Sequence, residues 1–232
     1  MTGTVDAALA QRLSELARSL EHEADLQDTL DGIVHAAVGT VPGVEHVSIS
    51  AIRQRREVET RAATGDLPRA LDQAQYDAGE GPCLHTLYEQ QTVTIPDAAA
   101  ERRWPGFTAR AAGLGIGSML AVQLFVEGED LGALNLSSSA TGAFDDESER
   151  VALLFASHAA VAMVGAQQQH RLREAIGSRD LIGQAKGILM ERFKITGDQA
   201  FRLLVKASQD RNRKLAEIAG DLVRTGDLRG SG

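Results

Sequence analysis

Ser118-Met-Leu-Ala-Val-Gln-Leu-Phe-Val126, Glu127-Gly128-Glu129-Asp130 and Leu131-Gly-Ala-Leu-Asn-Leu-Ser-Ser138 decide the fold class. Two apolar runs of strand length on either side of a charged turn containing glycine read as a β-hairpin. A second hairpin lies upstream. Val44–Ile52 alternates, with Val47, Ile49 and Ala51 set against His46, Ser48 and Ser50, which predicts a strand half buried in a sheet. The charged turn Arg53–Arg56 joins it to a second strand over Glu57–Thr64, and Thr92–Ile95 makes a short strand stopped by Pro96. Helical spacing surrounds these strands. Residues 5–38 carry Leu9, Leu13, Leu16 and Leu20, then Leu26, Leu30, Ile33, Val34 and Ala37. Pro82 opens a helix through Leu84 and Leu87, and another runs from Pro105 and Phe107 to Gly113. Asp145 caps a long helix carrying Val151, Leu154, Phe155, Ala159 and Ala162. Hairpins flanked by helices make an α+β fold with an antiparallel sheet, not a doubly wound α/β one.

The last sixty residues change character. They read as three helices: Ser178–Phe193, which could continue upstream into the preceding helix, a second capped by Thr196, and Lys214–Thr225 stopped by Gly226. Leu181, Ile182, Ala185, Ile188 and Leu189, then Ala200, Leu204 and Val205, then Leu215, Ile218, Ala219 and Leu222 supply the inward faces of a compact bundle. Charge divides at the same place. Residues 1–170 hold 11 Lys+Arg and 24 Asp+Glu, whereas residues 171–232 hold 13 and 8. An acidic body followed by a basic tail suits a tail that meets nucleic acid, although small helical domains also carry excess charge on a solvated face.

Several function classes are excluded. One cysteine, Cys83, forms no internal disulfide and no cysteine-based zinc site, and beside a Gly-Pro turn it reads as a small buried filler. Cys83 and His85 lack the third group and the geometry of a nucleophilic pair. The six histidines show no metalloprotease spacing, and neither Gly79-Glu-Gly81 nor Gly113-Leu-Gly-Ile-Gly117 carries the Lys-Ser/Thr of a phosphate loop. No catalytic residue, metal set or cofactor is therefore expected. His158, inside an apolar helix, reads as a core or interface histidine. The longest apolar stretch, Val151 to Gly165, contains Ser157 and His158 and reads as too short and too polar for a membrane span. With no secretory signal at the N-terminus, the expectation is a cytoplasmic, non-enzymatic protein.

The chemistry concentrates in the tail. Gly183, Lys186, Gly187 and Met190 fall opposite the apolar stripe of the bundle's first helix. Glycine within a helix costs about 1 kcal/mol relative to alanine, so two on one face suggest close approach by an outside group or by a neighbouring helix. On the second helix Arg202, Lys206, Gln209 and Arg213 form a polar stripe, and Arg211-Asn212-Arg213-Lys214 puts three cations and an amide into one corner. Lysine and arginine suit phosphates, and asparagine and arginine also pair with base edges. Phe193 and Phe201, the tail's two aromatics, read as lying on apolar faces. No stacking platform is expected, so readout falls to cations, amides and shape, as with an RNA hairpin or a duplex groove.

Ile182-Gly-Gln-Ala-Lys-Gly-Ile-Leu-Met190, Ala200-Phe201, Ser208-Gln-Asp-Arg-Asn-Arg-Lys-Leu215 and Ile218-Ala219 closely resemble the ANTAR domain, an RNA-binding module of bacterial transcription antiterminators. The body resembles a GAF sensory domain through Gly79-Glu-Gly-Pro-Cys83, Trp104-Pro105, Gly117-Ser118, Gly132-Ala-Leu-Asn-Leu136 and Phe144. The resemblance implies an N-terminal helical segment at 1–40, a GAF-like sensory domain at 41–170 and an ANTAR-like domain at 171–228. It further implies a homodimer that holds hairpins in a nascent transcript so that a terminator cannot form, with a small-molecule ligand in the GAF-like domain. By position, Ala185, Lys186 and Gly187 fall in the family's signature helix, and Arg211, Asn212 and Lys214 in its second block. The expected RNA-binding set is Lys186, Gly187, Arg202, Lys206, Arg211, Asn212, Arg213 and Lys214. The cyclic-nucleotide pattern is missing: Leu136 follows Asn135, and Asp145-Asp146-Glu147 follows Phe144 without a spacer. Two alternatives stand beside this reading. One is a DNA-binding helix-turn-helix regulator, against which Glu217 and Asp221 occupy the recognition positions. The other is a small-molecule sensor whose tail only dimerises.

Overall fold

A computed structural model of the chain describes residues 26–52, 57–89, 92–126 and 129–227. The expected helical turns before Leu26, the Arg53–Arg56 turn and Glu127-Gly128 lie outside these residues. The chain forms two compact units, the first ending at Gln167 and the second beginning at Gln168.

The first unit is built on a five-stranded antiparallel sheet in the order β2-β1-β5-β4-β3. The strands are β1 (His46–Ile52), β2 (Val58–Ala63), β3 (Val93–Ile95), β4 (Ser118–Val126) and β5 (Glu129–Ser138). The hairpin that decides the fold forms, with Leu120 opposite Leu136 and Val122 opposite Leu134, but its second strand begins two residues early: Glu129 and Asp130, expected in the turn, pair with Val126 and Phe125. Leu120, Val122, Leu134 and Leu136 point to the face covered by α1 (Leu26–Thr40) and the start of α5 (Asp146–Phe193). Ile33 and Val34 of α1 and Phe155 and Ala159 of α5 complete that core. Each fully buried Leu, Ile or Phe contributes about 1.5–3 kcal/mol of apolar transfer.

Three helices cover the opposite face: α2 (Asp66–Ala78), α3 (Pro82–Glu89) and α4 (Pro105–Gly113). Met119 and Ala121 pack there with Leu71, Trp104, Phe107 and Ala111. Because both faces are covered, the Ser48 and Ser50 side of β1 is buried, not solvated as the alternation suggests. Alternation says that two faces of a strand differ. It does not say that the polar one meets water, and here α2 brings polar partners to it.

α5 runs unbroken for 48 residues, with no stop before Ser178. Its first turns bury neighbouring pairs, Val151 with Ala152, Phe155 with Ala156 and Ala159 with Ala160, and Asp145 caps it by accepting from the Glu147 and Ser148 amides. Within α5 an 18-residue window is long and apolar enough to cross a membrane by length and composition, more than the sequence reading credits, although its buried side chains belong to the sheet core. His158 is exposed instead of lying in the core, with Nδ1 2.8 Å from the Leu154 carbonyl oxygen.

In the second unit the end of α5 packs with α6 (Gly197–Arg211) and α7 (Leu215–Thr225). Ala185, Leu189, Ala200, Leu204, Ile218, Ala219 and Leu222 form the core of this unit. Thr196 caps α6 through a reciprocal capping box with Gln199, and Gly226 ends α7 in the left-handed conformation.

Candidate functional site

The bundle presents its cations from two elements and one corner. On α5, Gly183 and Gly187 are exposed, and a Cβ added to either would meet nothing within 4 Å. Among the described residues, nothing packs against α5 at these two positions. Lys186 is half-buried, not wholly turned outward. Its Cε and Nζ, with Met190 Sδ, lie 3.6 Å from where a Cβ on Gly197 would stand, so its stem leans over the first turn of α6. Arg202 and Lys206 of α6 are exposed and four residues apart, and Gln209 continues their stripe.

The corner between α6 and α7 is a built turn. Asn212 adopts φ 50°, with its amide donating to the Gln209 carbonyl while the Arg213 amide donates to that of Ser208. These two bonds close a Schellman motif, whose left-handed position asparagine tolerates well. Backbone geometry thus accounts for an asparagine at 212. Arg213 reaches back over α7, donating from Nε to Glu217 at 3.2 Å and from Nη1 to Asp221 at 2.7 Å. Arg224 takes the other Asp221 oxygen at 2.6 Å. The pairing keeps the Asp221 carboxyl below the usual carboxylate range. Arg211, Asn212, Arg213 and Lys214 are all exposed.

One expectation is overturned. Phe193 is 55% and Phe201 40% exposed, so the tail's aromatics stand at the surface and not on buried faces. Phe201 follows the buried Ala200 and precedes the buried Leu204 by three, a position at the border of the apolar stripe. A spacing argument assigns such border residues inward by their chemistry alone.

The first unit holds a second site of a different kind. Asp72 of α2 is buried against the sheet, and its partners among the described residues are neutral. Its Oδ2 accepts from Thr60 Oγ1 at 2.8 Å and Ser50 Oγ at 3.4 Å, and its Oδ1 accepts from Asn135 Nδ2 at 3.1 Å. Tyr76 donates to Ser50 at 2.7 Å. Burial outweighs these bonds and pushes the Asp72 carboxyl up to about 6. Cys83 is fully buried beside it, and burial together with the Asp72 charge pushes the thiol up to about 12. Such a thiol is no nucleophile near neutral pH. Gln75 Nε2 and Asn135 Oδ1 are buried without a hydrogen-bond partner.

Gly79-Glu-Gly-Pro-Cys83 is the joint beneath this cluster. Gln75 Oε1 accepts the Cys83 amide at 2.8 Å, and Gly81, at φ 143°, leaves room for it, since a Cβ there would fall 2.4 Å from that oxygen. Glu80 Oε1 accepts the Gly106 amide at 2.6 Å and the Phe107 amide at 3.3 Å, capping the start of α4. The motif ties α2, α3 and α4 together. Sequence reasoning finds the motif but misses Asp72, Gln75 and α2 itself.

Family comparison agrees with this division. The GAF domain model matches residues 23–164, and the ANTAR domain model matches residues 170–223. Comparison with curated proteins finds no match. Among solved structures, the chain is similar to the GAF domain of a phosphoenolpyruvate-protein phosphotransferase from Coxiella burnetii. That pair shares 18% identity and a TM-score of 0.53 over 70% of this chain and 96% of the other. It is also similar to the free methionine-R-sulfoxide reductase of Neisseria meningitidis in complex with its substrate, at 19% identity and TM-score 0.55 over 70% of this chain and 92% of the other. The corresponding Acinetobacter phosphotransferase GAF domain gives 15% and 0.52 over 68% and 94%. At these identities the likeness is one of fold. The chain belongs to the GAF domain family and, with an ANTAR domain following its GAF domain, is a GAF–ANTAR regulator.

Proposed function

We propose that this regulator is a signal-responsive, RNA-binding transcription antiterminator. It acts in the cytoplasm as a homodimer that holds structured hairpins in a nascent transcript and keeps a terminator stem from forming. The observation that carries the reading is the exposed Arg202–Lys206 stripe of α6, with Lys186 on the neighbouring helix, in a domain of the ANTAR family. Lys186, Gly187, Arg202, Lys206, Arg211, Asn212, Arg213 and Lys214 are the proposed contact set. Within it Asn212 serves through the shape of the corner, and Arg213 must share its guanidinium with Glu217 and Asp221. These same two carboxylates stand on the helix that a DNA-reading helix-turn-helix would lay in the major groove, which disfavours duplex DNA as the target.

The GAF domain is the signal receiver, and the cluster around Asp72 is the proposed place where a small ligand is registered. The chain is proposed to act without catalysis, even though its fold is shared with a methionine sulfoxide reductase. The single cysteine is buried and held neutral, and no second thiol exists to form a disulfide with it. Support for a homodimer comes from α5, where Leu153, Leu154 and Val161 are exposed, Val161 at 67%. Apolar side chains left open along one helix suit a second copy of that helix.

Filter binding of the full chain to a tandem-hairpin RNA and to duplex DNA of equal length, at two salt concentrations, tests the reading. Preferential retention of the RNA, falling steeply as salt rises, is expected. Equal retention of both nucleic acids would refute it.

A further inference from the structure

We propose that the buried cluster around Asp72 holds a small monovalent cation, an alkali ion or ammonium, between α2 and the sheet. The inference rests on the reading of this cluster as the place where the GAF domain registers a ligand, and it names the class of that ligand.

Three strands and one helix bring oxygen atoms to one place. β1 supplies Ser50, β2 Thr60, β5 Asn135, and α2 both Asp72 and Tyr76. Thr60 Oγ1 lies 3.1 Å from the Tyr76 hydroxyl as well as 2.8 Å from Asp72 Oδ2. Charge is the first argument. Asp72 is 1% exposed, and the strands turn only hydroxyls and an amide towards it. Among the described residues, the titratable groups that face it are Tyr76 from its own helix and Cys83 from α3. Burial raises both, so each keeps its proton near neutral pH, and neither is ever a cation. A buried charge is tolerated where an opposite charge meets it, and the described side chains bring none to Asp72.

Asn135 gives the second, independent argument. It is 4% exposed and its Nδ2 touches Asp72 Oδ1, while the Oδ1 of the same amide is buried without a hydrogen-bond partner. Buried amide oxygens are ordinarily satisfied. A cation is attracted to this oxygen and to the carboxylate together. Gln75 Nε2, likewise unpartnered, is a donor and takes no part in holding one. Oxygen ligands select a hard ion, and one carboxylate matches one positive charge, whereas divalent sites gather more. Side chains enclosed to this degree admit an ion of atomic size more readily than an organic molecule. Occupancy ties α2 to β1, β2 and β5, and α2 carries Gln75, which holds the first turn of α3 through the Cys83 amide at 2.8 Å. The ion thus acts on the Gly79–Cys83 joint.

The test is the melting temperature of the full chain in the chlorides of sodium, potassium, ammonium and tetramethylammonium at equal ionic strength, the last ion being too large to enter the cluster. At least one of the three small ions is expected to raise melting by about 3 °C over tetramethylammonium, at about 0.1 M salt and about pH 8. The rise is expected to vanish in Asp72→Asn and to shrink at about pH 5, where the proton takes the carboxyl in place of the ion. Equal melting in all four salts overturns the inference, and so does a rise that Asp72→Asn keeps or that is the same at both pH values. If Asp72→Asn fails to fold, Thr60→Val decides. It removes one oxygen at constant shape and is expected to lower the rise by about half, and a rise left whole overturns the site. Retention of tandem-hairpin RNA that is the same in the small ions as in tetramethylammonium, alongside the melting rise, is a different result: the cation site stands, and the reading of the cluster as signal receiver falls.

Discussion

Asp72 is an ionisable side chain buried away from water between α2 and the sheet. A buried carboxylate held only by hydroxyls and an amide pays for its charge, and its carboxyl rises to about 6. The unfolded chain titrates it near the ordinary value of about 3.9. The folded state therefore binds the extra proton between these two values. This contribution to stability is complete below pH about 4 and is lost as pH rises through 6. Asp72→Asn is expected to flatten that dependence and to raise the melting temperature of the GAF domain above pH 7. The effect is on the order of 1–3 kcal/mol, or a few degrees. Parallel melting profiles for the two proteins from pH 5 to 8 would rule this account out. Two glycines make equally local claims. Gly132 on β5, at φ 150°, would set a Cβ 2.1 Å from the Ser50 carbonyl oxygen, and Gly81 would set one against Gln75. Gly132→Ala meets immovable backbone, so we expect a loss of about 2 kcal/mol or more in chemical denaturation, exceeding that of Gly81→Ala, where a side chain can shift.

Elements follow from their ends as much as from their faces. Thr196 and Gln199 satisfy the first amides of α6 reciprocally, so Thr196→Ala should cost about 1 kcal/mol in bundle stability by thermal denaturation. The cap, the turn signals and the strands of the β4–β5 hairpin were legible because each has a short-range cause. α2 was not. Of its five buried residues, Pro68, Leu71, Asp72, Ala74 and Gln75, two are polar, so the apolar period on which a helix is recognised is broken by the side chains that matter most. The polar face of β1 was misread for the same reason, because Ser48 and Ser50 are buried against polar partners. The continuity of α5 past residue 177 was open from sequence, since a polar stretch with a glycine reads equally as helix or link. In the candidate site, the cations were legible as a pattern. Their unequal availability was not, because it depends on Arg213 finding Glu217 and Asp221 on the next helix.

At the scale of the whole molecule, a GAF domain and an ANTAR domain follow one another along α5, and the exposed apolar residues on its first half are the surface proposed to meet a second copy. Sedimentation equilibrium at micromolar concentration is expected to give a dimer, and Val161→Glu is expected to shift it toward monomer. A monomer at all concentrations in the unsubstituted protein would leave those residues unexplained. The central claim is that the cationic surface of α5 and α6 grips folded RNA. Its most direct measurement is the salt dependence of tandem-hairpin RNA binding by the full chain, compared with its Lys206→Ala variant. The account predicts a steep negative slope of log affinity against log salt, reduced by about one unit in the variant. A slope near zero, or one that Lys206→Ala leaves unchanged together with the affinity, would contradict it.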